Sequence, residues 1–152
     1  DPLLDQAWGL LAEARAPVVV HCGSGPLPGR HTGPGPIGQV LRRHPELTAV
    51  IAHAGAPEYA EHLELARRYG NVRLDTTMVG TGFLNRLAPI PADTLRGYRD
   101  LADRIVLGSD FPNIPYSYAH QIQSLIDWDF GDDWLRAVLW HNGAALMGPG
   151  PS

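Results

Sequence analysis

RIVLGSDFP, residues 104–112, runs a short apolar strand, Ile105-Val106-Leu107, into Gly108-Ser109 and delivers the carboxylate of Asp110 to a turn stiffened by Pro112. A brief, continuous apolar run suits a strand covered on both faces, as in a parallel sheet. Upstream the same plan recurs. Val18-Val19-Val20 ends at His21, Leu47 to Ala52 ends at His53, and Val72 to Asp75 closes on its own carboxylate. Position therefore marks these residues more than type does. In parallel α/β folds the carboxyl ends of the strands and their following loops converge on the ligand.

Helical patterns alternate with those strands. Residues 2–15 put Leu4, Trp8 and Leu11 on one face and stop before Pro17. Ile37 to Arg43 is a short helix stopped before Pro45, and Glu58 to Tyr69 turns Leu63, Leu65 and Ala66 inward and closes at Gly70. Helices are also expected over 95–102, 118–127 and 132–140, with a short last one capped by Asn142. This alternation predicts βαβ units. The Gly/Pro-rich stretch 23–38 reads as one long loop after the first strand, stiffened by its prolines.

Composition narrows the chemistry. The chain has 152 residues, a formal net charge of -4 and 44% hydrophobic residues. That charge gives no reason to expect nucleic acid or an anionic membrane as a partner. No apolar run approaches the roughly 18 residues of a membrane span. The single Cys22 excludes an internal disulfide and points to a reducing cytoplasm. All 12 basic residues are Arg, so Schiff-base chemistry and a phosphate-loop lysine are excluded within this chain.

Two neutral imidazoles and a carboxylate at strand ends form a usual ligand set for zinc or a similar divalent ion. The segments VVVHCGSG (18–25), AVIAHAGAPEY (49–59), NVRLDTT (71–77), RIVLGSDFP and HNGAALMG (141–148) together resemble, in order, the second half of the amidohydrolase-related family. That family includes aminocarboxymuconate-semialdehyde decarboxylase-like enzymes and pyrone-dicarboxylate lactonase-like hydrolases. The resemblance implies an α/β fold: strands 5 to 8, the C-terminal half, of a metal-dependent hydrolase (β/α)8 barrel. By position, His21 is similar to the metal ligand on the fifth strand. Asp110 is similar to the eighth-strand carboxylate, which binds metal or orients the attacking water. His53 is similar to the sixth-strand histidine, which polarises the substrate or moves a proton. One divalent metal is implied, zinc first and manganese or iron second.

The resemblance also marks a gap. The family's first ligands are a His-x-His pair on the first barrel strand, and no such pair occurs here. Four strands stand where a closed barrel needs eight, and a whole barrel takes roughly 250 residues. Residues 1–152 are therefore expected to be one barrel half, with the N-terminal half absent from this chain. Such a half would expose two sheet edges and an apolar face, and alone would not hold a metal tightly.

Other positions are weighed against blander roles. Arg30 and His31, in the long loop, and Asp75 are candidate substrate-binding residues, an Arg being able to clamp a carboxylate; as loop or turn residues they fit solvated or capping roles better. His44, His62 and His120 read as surface positions on helices, and His141 and Asn142 as structural. Cys22 is discounted as a nucleophile because neighbours along a strand face opposite ways. Trp8, Trp128, Trp134 and Trp140 are assigned to packing, and Phe111 and Pro112 to the pocket wall. The expected function is metal-assisted hydrolysis of a C–N or C–O bond in a small molecule. Non-oxidative decarboxylation and a non-catalytic half-barrel binding module are the alternatives, and homo-oligomerisation stays open.

Overall fold

The computed structural model describes residues 2–148. Four parallel strands, β1 (Val18–Val20), β2 (Ala49–Ile51), β3 (Val72–Asp75) and β4 (Ile105–Val106), lie side by side in chain order. Val18 pairs with Ala49, Ala49 with Val72, and Leu74 with Ile105. Helices α1 (Asp5–Glu13), α2 (Pro34–Arg43), α3 (Tyr59–Arg68), α4 (Gly82–Leu87) and α5 (Ala92–Asp100) precede or link the strands. After β4 come α6 (Tyr118–Ile126), α7 (Asp132–Arg136), a π turn (Ala137–His141) and α8 (Asn142–Met147).

The register sorts the sheet into two faces, because paired residues on neighbouring strands point the same way. Ala49, Ile51, Val72, Leu74 and Ile105 face the helices and are buried with Leu41, Tyr59, Leu63, Ala66, Tyr98 and Leu125. Each large aliphatic side chain so covered contributes on the order of 1.5–3 kcal/mol. Val19, Val50 and Arg73 share the other face. There Val19 is 67% exposed, so this face is open at its β1 edge. Four parallel strands backed by helices are half of a (β/α)8 barrel.

Several sequence expectations shift. The long loop is shorter, since α2 begins at Pro34, where proline's fixed φ suits a first helical turn. His62 is fully buried, not on the surface: its ring Nδ1–H donates to the Glu58 carbonyl, 2.8 Å away, and its Nε2 faces the Cys22 thiol at 3.8 Å. Asn142 does not N-cap α8; the chain enters α8 straight from the π turn, and the Asn142 side-chain amide donates to the carbonyls of Ala102 and Ile105, both at 2.7 Å. Trp140 is 70% exposed, whereas Trp134 is buried and donates to the Tyr98 carbonyl. No helix among the described residues is long and apolar enough to cross a membrane.

Candidate functional site

At the carboxyl ends of the strands the backbone leaves regular structure abruptly. His53, Ala54 and Gly55 adopt φ of 54°, 50° and 75°, three consecutive left-handed residues. For the two that carry a Cβ this costs roughly 1–2 kcal/mol each. Glycine is required at the third position, because a Cβ there would overlap the buried His62 ring. The turn is held from β3: Asp75 Oδ1 accepts the His53 amide at 2.9 Å and the Thr77 amide at 2.8 Å. Gly108 lets β4 come close enough to seal this corner, since any side chain there would strike Asp75 and Thr77.

The His53 ring is fixed as well. Its Nδ1 lies 3.1 Å from the Thr77 carbonyl oxygen. A carbonyl only accepts, so Nδ1 carries a hydrogen, and the neutral form of the ring has its lone pair on Nε2. The His21 ring meets it edge to face, with centroids 5.0 Å apart. Just past the end of β1, His21 is exposed while the next residue, Cys22, is buried in the core. Burial and then the Glu58 charge push the Cys22 thiol up to about 12, so it is a protonated donor to His62 and no nucleophile.

Behind the two histidines the β1 and β2 loops are fastened together. The Ser24 amide donates to Glu58 Oε2 at 3.0 Å, and its hydroxyl donates to Oε1. Burial tends to raise the Glu58 pKa, but these Ser24 donors outweigh it and hold the carboxyl below its usual range.

The pair opens onto a cleft of about 460 Å³, bounded further by Pro26, Pro57, Met78, Phe83, Leu84, Leu87 and Ala88. The Phe83, Leu84 and Leu87 wall belongs to α4, an element beyond those expected from the sequence. Its signal was present: Thr81 ahead of apolar residues at helical spacing is an N-cap pattern, and its side chain does accept the Leu84 amide, at 3.3 Å.

The structure brings together His21, His53 and, through the backbone, Asp75. It does not bring in the rest. Arg30 and His31 line a separate hollow with Asp5, Pro36, Gln39 and Arg43. Asp110, also left-handed at φ 55°, is exposed at the rim of β4 and is not among the cleft-lining residues. Phe111 is 69% exposed and, like Pro112, does not wall the cleft, which corrects that expectation. The donors also fall short of a metal centre: among the described residues no three His, Cys, Asp or Glu side chains converge as a metal would need. The residues of this half therefore do not by themselves fit the implied ion.

Comparison with solved structures places the half-barrel. It superposes on an uncharacterised TIM-barrel protein from Bordetella bronchiseptica with a TM-score of 0.79 at 25% identity, covering 95% of this chain and 50% of that one. An amidohydrolase from Burkholderia multivorans, with bound zinc, matches with a TM-score of 0.67 at 19% identity, covering 96% of this chain and 57% of that one. A probable 2-pyrone-4,6-dicarboxylic acid hydrolase from Acinetobacter baumannii, with citric acid bound, gives 0.62 at 18%, covering 97% and 58%. The chain thus spans about half the length of these barrels. No curated protein matches it. A profile of the family described as amidohydrolase matches residues 1–148. With that match and the half-barrel fold, this chain belongs to the amidohydrolase family.

Proposed function

We propose that residues 1–152 form the C-terminal barrel half of a hydrolase that cleaves a C–O or C–N bond of a small carbonyl compound, with His21, His53 and Asp110 as this half's contribution. The observation that supports the reading most is the His53 ring, locked by Thr77 with Nε2 free on a cleft at the carboxyl ends of parallel strands. In hydrolysis the water oxygen bonds to the carbonyl carbon and the C–O or C–N bond breaks. The proton shed by the water ends on the leaving atom. A neutral imidazole with one free nitrogen can receive that proton and return it, and can hydrogen-bond the developing charge once protonated. Asp110, on the same rim, is assigned to orienting or deprotonating the water. Asp75 serves by fixing the His53 turn, and Arg30 and His31 are left a role only if a substrate reaches their separate hollow. A divalent ion, zinc first, is proposed to need ligands from the barrel half that lies outside this chain.

Product analysis in water enriched in oxygen-18 tests the reaction class, using the chain joined to its completing half. One heavy oxygen in the product acid is expected. Release of CO2 without that oxygen would instead indicate decarboxylation, and neither product would indicate a binding module. Asp110→Asn should lower turnover by about 100-fold or more, the scale on which water activation by a positioned base acts; near-normal turnover would remove Asp110 from the site.

A further inference from the structure

Resting on that hydrolytic reading, we propose that Gln121, on α6, is a positioning residue for both loops that carry the reacting groups. It holds the Thr77 carbonyl aimed at the His53 ring and, with Tyr116, ties down the segment that bears Asp110. β3 runs into a turn, Thr76 to Val79, closed by the Val79 amide on the Thr76 carbonyl at 2.9 Å. Thr77 and Met78 are its central residues, and Met78 has a φ of 61°. A positive φ at the third position marks a type II turn, which glycine adopts freely and a residue with a Cβ resists. Turns of types I and II differ by a flip of the central peptide, so this φ decides which way the Thr77 carbonyl points. Here that carbonyl meets His53 Nδ1 at 3.1 Å. The free Nε2 of the ring therefore depends on a turn that methionine alone would not favour.

Gln121 holds that turn in shape. It is fully buried; its amide nitrogen donates to the carbonyls of Thr76 (2.8 Å) and Val79 (3.3 Å), and its oxygen accepts the Met78 amide (3.0 Å). The groups it grips stand on both sides of the Thr77 carbonyl along the chain. The same oxygen also accepts the Tyr116 hydroxyl at 3.0 Å. Two hydrogens and two lone pairs are all that a primary amide offers, so every one is used, and the two carbonyls fix which end is nitrogen. A shorter amide, or a carboxylate of equal length, could not make all four bonds. Tyr116 lies between Asp110 and α6, so its bond draws the Asp110 segment toward the turn that aims His53. Gln121 is not among the residues that line the cleft, and it acts on the site only through these neighbours.

Long-range proton–nitrogen NMR of the full, metal-free chain at about pH 8, where a histidine of ordinary pKa is neutral, reads the His53 tautomer. The Nδ1–H form should dominate in the wild type. A dominant Nε2–H form, the one imidazoles favour in water, would overturn the proposal with no variant needed. Gln121→Asn, too short to span the turn, should lower the ratio of Nδ1–H to Nε2–H about tenfold, the scale set by one hydrogen bond. Adding Met78→Gly, which removes the backbone penalty, should restore most of that ratio; a role confined to packing would give no such rescue. Tyr59→Phe is the control. It deletes the bond from the Tyr59 hydroxyl to the Ala88 carbonyl (3.1 Å), loosening the far end of α4, and should leave the tautomer unchanged. Tyr116→Phe should also spare the tautomer but lower the backbone order parameters of residues 109–111 from about 0.85 to below about 0.6. An unchanged tautomer in Gln121→Asn, or an equally rigid Asp110 segment in Tyr116→Phe, would overturn the assignment. Turnover is scored separately, in the chain joined to its completing half, where Gln121→Asn should lower kcat about tenfold with KM nearly unchanged. A tautomer that responds while no water oxygen enters the product counts against hydrolysis alone. Hydrolysis with a tautomer indifferent to Gln121 counts against the positioning role alone.

Discussion

His53 shows what the site demands of single residues. Its left-handed backbone, the same at Ala54, is tolerated because Asp75 and Thr77 bind the turn and because Gly55 clears the His62 ring. Gly55→Ala combines a disfavoured φ with that overlap and should destabilise the fold by roughly 2–4 kcal/mol in urea unfolding; a loss below the scatter of the measurement would show that the turn can relax. His62 links stability to pH. Burial, its largest influence, lowers its pKa, with the Glu58 carbonyl and the Glu58 and Glu61 charges pulling partly back. Above about pH 6.5 histidine is neutral folded or unfolded, so nothing is lost. Below it the unfolded chain takes up a proton that folded His62 refuses, and stability falls until the folded pKa is passed, at up to about 1.4 kcal/mol per pH unit. Glu58, lowered from the usual glutamate range, adds its own loss only at more acid pH. Urea midpoints should therefore begin to decline near pH 6.5, and His62→Asn should remove that first decline; a flat curve down to pH 5 would contradict the burial of a neutral imidazole. Cys22, held as a thiol by the same cluster, should react with an aromatic disulfide reagent at pH 8 orders of magnitude more slowly in the native than in the unfolded chain.

At the level of elements, α4 and its supports decide the shape of the cleft. Thr81→Ala removes the cap and should cost about 1 kcal/mol. Gln121→Leu leaves the Thr76 and Val79 carbonyls and the Met78 amide without their partner, and roughly 2–3 kcal/mol is expected. Thermal melts compare the two, and a larger loss in Thr81→Ala would invert the assigned hierarchy. How far each element could be read from sequence follows from how local its determinants are. The strands were legible because Val18-Val19-Val20 and Ile105-Val106-Leu107 are continuous apolar runs, as parallel strands require. Six-residue α4 was not, since its hold on the molecule comes from Gln121, 42 to 45 residues from the Thr76, Met78 and Val79 backbone that it bonds, and from Tyr59, 29 residues from Ala88. The burial of His62 is hidden from the sequence for the same reason: one histidine on a charged helix looks solvated until Cys22 and Gly55 are known to pack against it. The placing of His21 and His53 side by side followed from strand order alone. The separation of Arg30 and His31 did not, because it depends on the course of a loop that strand order leaves free.

For the whole molecule the deciding fact is the open sheet. Four strands make half a barrel, the chain covers 50–58% of the compared barrels, and Val19 stands uncovered on the face that a closed barrel would bury. The same half-completeness governs the site, which offers two imidazoles side by side and no third ligand in one cluster among the described residues. A zinc titration of the full chain by calorimetry tests this directly. The expected result is binding weaker than micromolar that His21→Ala abolishes, as for a site holding fewer than the three or four ligands of a tight one. Stoichiometric nanomolar binding that survives this substitution would contradict it.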